Sequence, residues 1–189
     1  MRTASLRLIG LVVATVFAAG CGENSGITSP PASAASRSIL SSPATVQVVT
    51  RDVPLSEPVS ASAVFGLFGG TLTVPGTGLR VVVPPFAVTS PTRITVTAVA
   101  GSQVAYEFEP HGIHFVTPLV VTQNLSGTSA YNAGLLQPVQ AGYFANLSDL
   151  DPLSGTGLVS ELLGTTLSIA THSATFAVFH FSGYLIATD

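Results

Sequence analysis

The sequence predicts an all-β domain, an antiparallel β-sandwich or barrel, and three observations predict it. Short segments rich in Val, Ile, Thr and Phe recur through residues 45–188, several of them alternating apolar and polar side chains with the two-residue period of a strand. The chain has eighteen glycines and 13 prolines, and most of them fall between these segments as turn signals. No stretch keeps the 3.6-residue period of an amphipathic helix, and no repeat of about 20–50 residues is present.

The domain is expected at residues 45–189, behind an address and a tether. Residues 1–20 have the form of a secretory signal: Arg2 and Arg7 supply positive charge, and 8–19 is an apolar run of 12 residues, short for a bilayer span. Ala18, Ala19 and Gly20 then precede Cys21, the only cysteine of the 189 residues. This arrangement resembles the bacterial lipobox, with Ala18 where Leu is usual. The resemblance implies that Cys21 becomes the first residue and carries acyl chains such as palmitate, whose burial fastens the chain to a membrane. The alternative is an ordinary secretory signal followed by an unrelated cysteine. Gly22 rather than Asp after the cysteine implies, by the same resemblance, the outer membrane in a cell with two membranes. Residues 22–44 contain seven Ser, four Ala and three Pro, so 21–44 is expected to be the lipidated cysteine and a flexible linker.

The strands expected after it lie at 45–50, 64–68, 70–74, 79–83, 93–98, 104–108, 116–122, 139–145, 166–170, 175–181 and 184–188. Pro84-Pro85 closes the fourth, because proline cannot donate to a ladder, and Pro118 marks the seventh as an edge or a bulge. Residues 150–163 have apolar content, but Pro152, Gly155 and Gly157 interrupt them, and no element is expected there.

Charge excludes one large class of function. Only 8% of the residues are charged, and the six basic residues are all arginines, so there is little to neutralise a phosphate backbone and no nucleic acid is expected as a partner. Without residues 1–20 the chain keeps four arginines against nine acids, a net charge of −5. One cysteine permits neither an intrachain disulfide nor a cysteine-rich metal centre.

The ordered run Gly69-Gly70, then 78–83, then Pro84-Pro85-Phe86-Ala87, then 94–98, then Phe108, Pro110, Gly112, Phe115 and Pro118 resembles the ZU-five domain. That module is shared by ankyrins, zonula occludens proteins and netrin receptors. The likeness covers about 66–188 and is strongest to about 122. Phe86 stands where the family usually has Gly, so the turn after Pro85 is expected to differ. The resemblance implies a β-sandwich used for protein docking and scaffolding. In some eukaryotic relatives of the death-domain and inflammasome type, a His-Phe-Ser tripeptide near the domain's end is a self-cleavage site. Carried onto His180, Phe181 and Ser182, it implies attack of the Ser182 hydroxyl on the Phe181 carbonyl with a histidine as base. The alternative is structural: Phe179 and Phe181 inward on the last hairpin, His180 and Ser182 on the other face, and Gly183 making the turn.

Other chemistry-bearing residues are weaker. His111 and His114, near Glu107 and Glu109, are candidate metal ligands, but no metal-binding signature surrounds them. Asp149 and Asp151 have the look of a carboxylate pair, yet they sit in a turn-forming SDLDPLSG segment. No Gly-x-Ser-x-Gly elbow or phosphate loop is present. Asn124 and Asn146 open Asn-Leu-Ser sequons, with no role expected in a bacterial lipoprotein. No cofactor is expected.

The expected function is that of a lipid-anchored envelope protein with a non-enzymatic β-sandwich interaction domain, its partner an envelope or surface protein. The alternatives are a self-cleaving domain and a carbohydrate or cell-wall binding module; exposed Tyr106, Tyr131 or Tyr143 would favour the last, and the lack of Trp weighs against it.

Overall fold

Alternation of buried and exposed side chains, visible in the sequence, becomes two packed antiparallel sheets. The computed structural model describes residues 37–132 and 134–188. The expected signal, Cys21 and residues 22–36 of the expected linker lie outside the described residues. The strands are β1 Arg37–Val48, β2 Thr50–Leu55, β3 Val59–Phe65, β4 Gly70–Val74, β5 Leu79–Val83, β6 Thr92–Ala98, β7 Gly101–Gln103, β8 Ala105–Glu109 and β9 His114–Asn124. They continue with β10 Tyr131–Asn132, β11 Leu135–Leu136, β12 Val139–Phe144, β13 Leu150–Asp151, β14 Thr156–Leu163, β15 Thr165–Ser168, β16 Ser173–His180 and β17 Gly183–Thr188. A single 3-10 turn, Leu147–Asp149, is the only helical element among the described residues.

The larger sheet runs β1-β14-β12-β17-β8-β6-β3, and the smaller β15-β16-β9-β5-β4. Between them lies the main core. The larger sheet contributes Ile94, Val96, Phe108 and Ile186, and the smaller Val81, Leu119, Val121 and Val178, all at most 1% exposed. Strand β5 shows how the sequence dictates this: its LRVVV reads buried–exposed–buried–intermediate–buried, so Leu79, Val81 and Val83 face the core. Phe108 is the hub of an aromatic group, 5.4 Å edge-on from Tyr184 and 5.8 Å from Phe181, with Phe115 4.8 Å beyond Phe181.

One end of the larger sheet closes on itself. Strand β1 pairs with β14 and, at Gln47 and Val48, also with β17, while β17 and β14 both pair with β12. Inside this ring of four strands is a second apolar cluster of Val48, Phe144, Val159 and Leu185, among others. Space there is short. A Cβ on Gly157 would meet Leu185 Cδ2 at 2.7 Å, and one on Gly142 would meet Val159 Cγ1 at 2.8 Å.

The ring accounts for two departures from the sequence reading. The first strand begins at Arg37, so residues 37–44 are not linker: the polar segment is drawn in by main-chain pairing with β14, a strand more than 100 residues away. The register shifts between Ile39 and Ala44, the interval that holds Pro43. The second departure is β14 itself, where no element is expected. Gly157 does not interrupt it; it is the small residue that a crowded ring interior requires.

Elsewhere the differences are smaller. Strand β5 spans the expected 79–83, whereas β3 begins at Val59 and ends at Phe65. Strand β9 is central, between β16 and β5, not an edge. Pro118 is nonetheless tolerated as a bulge, because the β9–β16 register breaks between Val178, opposite Leu119, and His180, opposite His114. Gly69 and Gly70 carry positive φ, 64° and 154°, and a side chain on Gly69 would start 2.0 Å from the Val83 carbonyl oxygen. No helix among the described residues is long and apolar enough to cross a membrane.

Candidate functional site

The His180-Phe181-Ser182 segment joins β16 to β17, and the ladder around it decides what each side chain meets. His180 closes β16 opposite His114 at the start of β9, with the two rings 5.7 Å apart. Across the larger sheet, Glu161 of β14 pairs with Tyr143 of β12, which pairs with Tyr184 of β17. This row brings an acid and two tyrosines to the imidazole. His180 Nε2 lies 3.2 Å from Glu161 Oε2, and its Nδ1 lies 3.3 Å from the Tyr184 hydroxyl. A carboxylate only accepts, so Nε2 carries the proton. The Tyr184 hydroxyl has one proton, and it donates that proton to the His180 carbonyl oxygen while lying beside Nδ1. Tyr143 stands edge-on to the imidazole, centroids 4.8 Å apart. The side chain of His180 is 15% exposed and that of Glu161 7%, so the pair is largely withdrawn from water.

Ser182 is buried, and its hydroxyl donates to the Phe144 carbonyl oxygen at 3.4 Å. Among the described residues it makes no hydrogen bond to a histidine. The Phe181 ring packs in the core, its N–H donates to the Ile113 carbonyl, and the Ser182 carbonyl accepts from the Phe108 N–H. Phe181 therefore faces inward as expected, but Phe179 does not: the buried apolar side chains of β16 are Ala174, Phe176 and Val178, Phe179 is half-buried, and the register break after Val178 shifts the alternation before Phe181. His180 and Ser182 do line one cavity of about 430 Å³, together with His111, His114 and Tyr143. Gly183 does not serve as a free turn residue: it starts β17 pressed against Phe144, whose ring lies 2.2 Å from where a Cβ would be.

The other sequence candidates separate. His111 and His114 are exposed and reach the same cavity as His180. Glu107 and Glu109 sit on β8, opposite Thr97 and Thr95. Among the described residues no group of three or more His, Cys, Asp or Glu side chains is close enough to hold a metal ion. Asp149 accepts from the backbone N–H groups of Ala145 and Asn146 at 3.1 and 2.9 Å. Asp151 accepts from the Ser154 hydroxyl at 2.8 Å and the Leu153 N–H at 2.9 Å. The Ser154 hydroxyl, then these backbone donors, hold the Asp151 carboxyl below its ordinary value. Each aspartate is thus engaged in its own turn.

Among the tyrosines, Tyr131 is half-buried and stacks on His172 at 4.1 Å, and Tyr143 is half-buried beside His180. Tyr106 is not a surface platform. It is 2% exposed, and its hydroxyl donates to Gln123 Oε1 at 2.6 Å. The reason is its strand: β8 lies between β17 and β6 in the interior of the larger sheet, where Ala105, Tyr106 and Phe108 are all buried.

Two features escaped the sequence reading. Glu161 sits on the unrecognised strand β14, so nothing linked it to His180. The turn holding Leu67 and Phe68 and the corner holding Phe86 are joined by a hydrogen bond from the Phe86 N–H to the Leu67 carbonyl at 2.8 Å. They expose Phe68 at 91% and Phe86 at 70%.

Residues 61–124 match the family model of the ZU5 domain. Over these residues the chain is of the ZU5 type. The matched segment runs from within β3 to the end of β9, and holds the Gly69-Gly70 turn, the Pro84-Pro85 corner, the exposed Phe68 and Phe86, and both His111 and His114. Strands β12 to β17, with His180 and Ser182, lie beyond it yet pair into the same two sheets as the ZU5 strands. No curated protein matches the chain significantly.

Proposed function

We propose that this is a lipid-anchored envelope protein whose ZU5-containing β-domain docks a partner protein without catalysing a reaction. The observation that carries the reading is the apolar tip within the ZU5 segment. Leu67, Phe68 and Phe86 are exposed on two loops locked together by a backbone hydrogen bond. Phe86 holds a left-handed backbone, φ 64°, which disfavours any residue with a side chain. A strained, solvent-facing phenylalanine contributes little to its own fold, which is what a contact surface for another molecule looks like. Docking is the general use of ZU5 domains, so the partner class is a protein.

Two measurements test this reading. Palmitate labelling in cells should mark the native chain and leave Cys21→Ser unmarked; an unmarked native chain refutes the anchor. Chemical crosslinking in the same cells should give a discrete adduct that Phe68→Ser with Phe86→Ser abolishes; an adduct unaffected by both substitutions refutes the tip as the contact.

Self-cleavage at Phe181–Ser182 is the second reading, favoured by the presence of Ser182 and three imidazoles on one cavity wall. In that step the Ser182 oxygen bonds to the Phe181 carbonyl carbon, the peptide C–N bond breaks, a histidine carries the hydroxyl proton to the released amine, and water opens the ester. It requires Ser182 to leave the Phe144 carbonyl, because the hydroxyl is not aimed at a base in this geometry. Intact mass under denaturing conditions decides: self-cleavage releases residues 182–189, eight residues, and the docking reading keeps them attached.

A further inference from the structure

Arg51, the second residue of β2, is 8% exposed. Its Nη1 donates to the Gln103 carbonyl, and its guanidinium carbon lies 5.5 Å from the centre of the Tyr106 ring. Its Nε and Nη2 make no hydrogen bond of normal geometry among the described residues, although the guanidinium lies close enough to the Tyr106 hydroxyl to interact with it. Arginine keeps its charge at any ordinary pH, and a buried charge with donors unfilled is among the costliest features a fold can carry. The aromatic face compensates it only in part.

The two unfilled nitrogens are not an arbitrary pair. In the planar guanidinium, Nε and Nη2 share one edge, and their N–H bonds run nearly parallel. That edge is the fork that matches two oxygens of one carboxylate or phosphate. Arg51 also lines, with Asp52, Thr77, Gly76 and Gly127, a cavity of about 350 Å³.

We propose that this cavity binds a carboxylate whose two oxygens take the Nε–H and Nη2–H edge of Arg51. Asp52 lines the same cavity and is exposed, so it repels a doubly charged phosphate more strongly than a singly charged carboxylate. Both nitrogens expose less than 1 Å² to solvent, so the ligand enters by displacing part of the wall. Gly76 and Gly127 are the points of give: both have left-handed backbone, and nothing lies within 4 Å of where their side chains would begin.

Thermal unfolding of the full chain at pH 7 tests this, with sodium acetate compared to sodium chloride at equal ionic strength. Acetate should raise the midpoint in a saturating way, by roughly 3–6 °C at ten times its dissociation constant. Asp52→Asn, at an exposed position, should strengthen the response, and Arg51→Lys, a point charge without the fork, should lose it. A short peptide with a free C-terminal carboxylate, set against its amidated form, identifies the source. Stabilisation by the free form below the acetate range assigns the site to a polypeptide terminus, and stabilisation by acetate alone to a small carboxylate. Equal midpoints in acetate and chloride for both the native chain and Asp52→Asn overturn the proposal. So does an undiminished acetate response in a folded Arg51→Lys chain; should that variant not fold, the Asp52→Asn comparison decides alone.

Discussion

Glu161 and His180 meet at 3.2 Å across the larger sheet, and that contact fixes the imidazole at the end of β16. Its other nitrogen lies beside the Tyr184 hydroxyl, so groups from two different strands flank the ring. A double-mutant cycle of His180→Gln and Glu161→Gln should therefore give a coupling of about 0.5–1.5 kcal/mol in denaturant unfolding. Additive effects would mean that the two side chains act independently.

Gly183 and Phe144 form a tighter contact. The Phe144 ring occupies the space of a Gly183 side chain and is itself 1% exposed inside the strand ring, so it has little room to yield. Gly183→Ala should destabilise the domain by about 1–3 kcal/mol, the usual range for overpacking. Adding Phe144→Leu to it should recover part of the loss; a neutral Gly183→Ala would show that the contact is looser than described.

Burial pushes the Tyr106 phenol above its ordinary value, while the Arg51 charge acts in the opposite direction. The unfolded chain ionises its tyrosines near pH 10, whereas folded Tyr106 stays neutral to a higher pH. Its contribution to stability is thus complete below about pH 10 and is lost as pH rises from there through the folded value. Spectrophotometric titration of phenolate should show a late-ionising tyrosine that disappears in Tyr106→Phe. A native titration in which all tyrosines ionise together near pH 10 would contradict this.

Phe86 holds a left-handed backbone at 70% exposure, so its replacement removes strain and little buried surface. Phe86→Gly should raise stability by up to about 1 kcal/mol, the relief of the left-handed cost less the added freedom of the unfolded chain. The same substitution should weaken partner docking, which separates the two roles. A destabilised Phe86→Gly would show that the ring is needed by the fold.

Much of the architecture was legible because the ZU5 segment is locally consistent. In β5, apolar alternation, the glycine before it and the Pro84-Pro85 stop all indicate one strand, and the structure has it at the expected residues. The ring of β1, β14, β12 and β17 was harder to see. Residues 37–44 look like a tether because their pairing partner is remote in sequence, and Gly157 looks like a break because the crowding that requires a glycine comes from Leu185 and Val48. The site divides in the same way. His180, Ser182, His111 and His114 share a cavity and were each singled out from sequence. Glu161 was hidden in the unrecognised strand, and Arg51 carried no motif; its importance is an unfilled edge, visible only once burial is known.

The docking claim is tested most directly by a photoreactive residue at position 68, activated in living cells that carry the chain with Cys21 intact. The account predicts one dominant crosslinked protein species, absent when Cys21→Ser removes the anchor and reduced when Phe86→Ser dismantles the neighbouring corner. Illumination that leaves the chain with Cys21 intact uncrosslinked to any protein would contradict it.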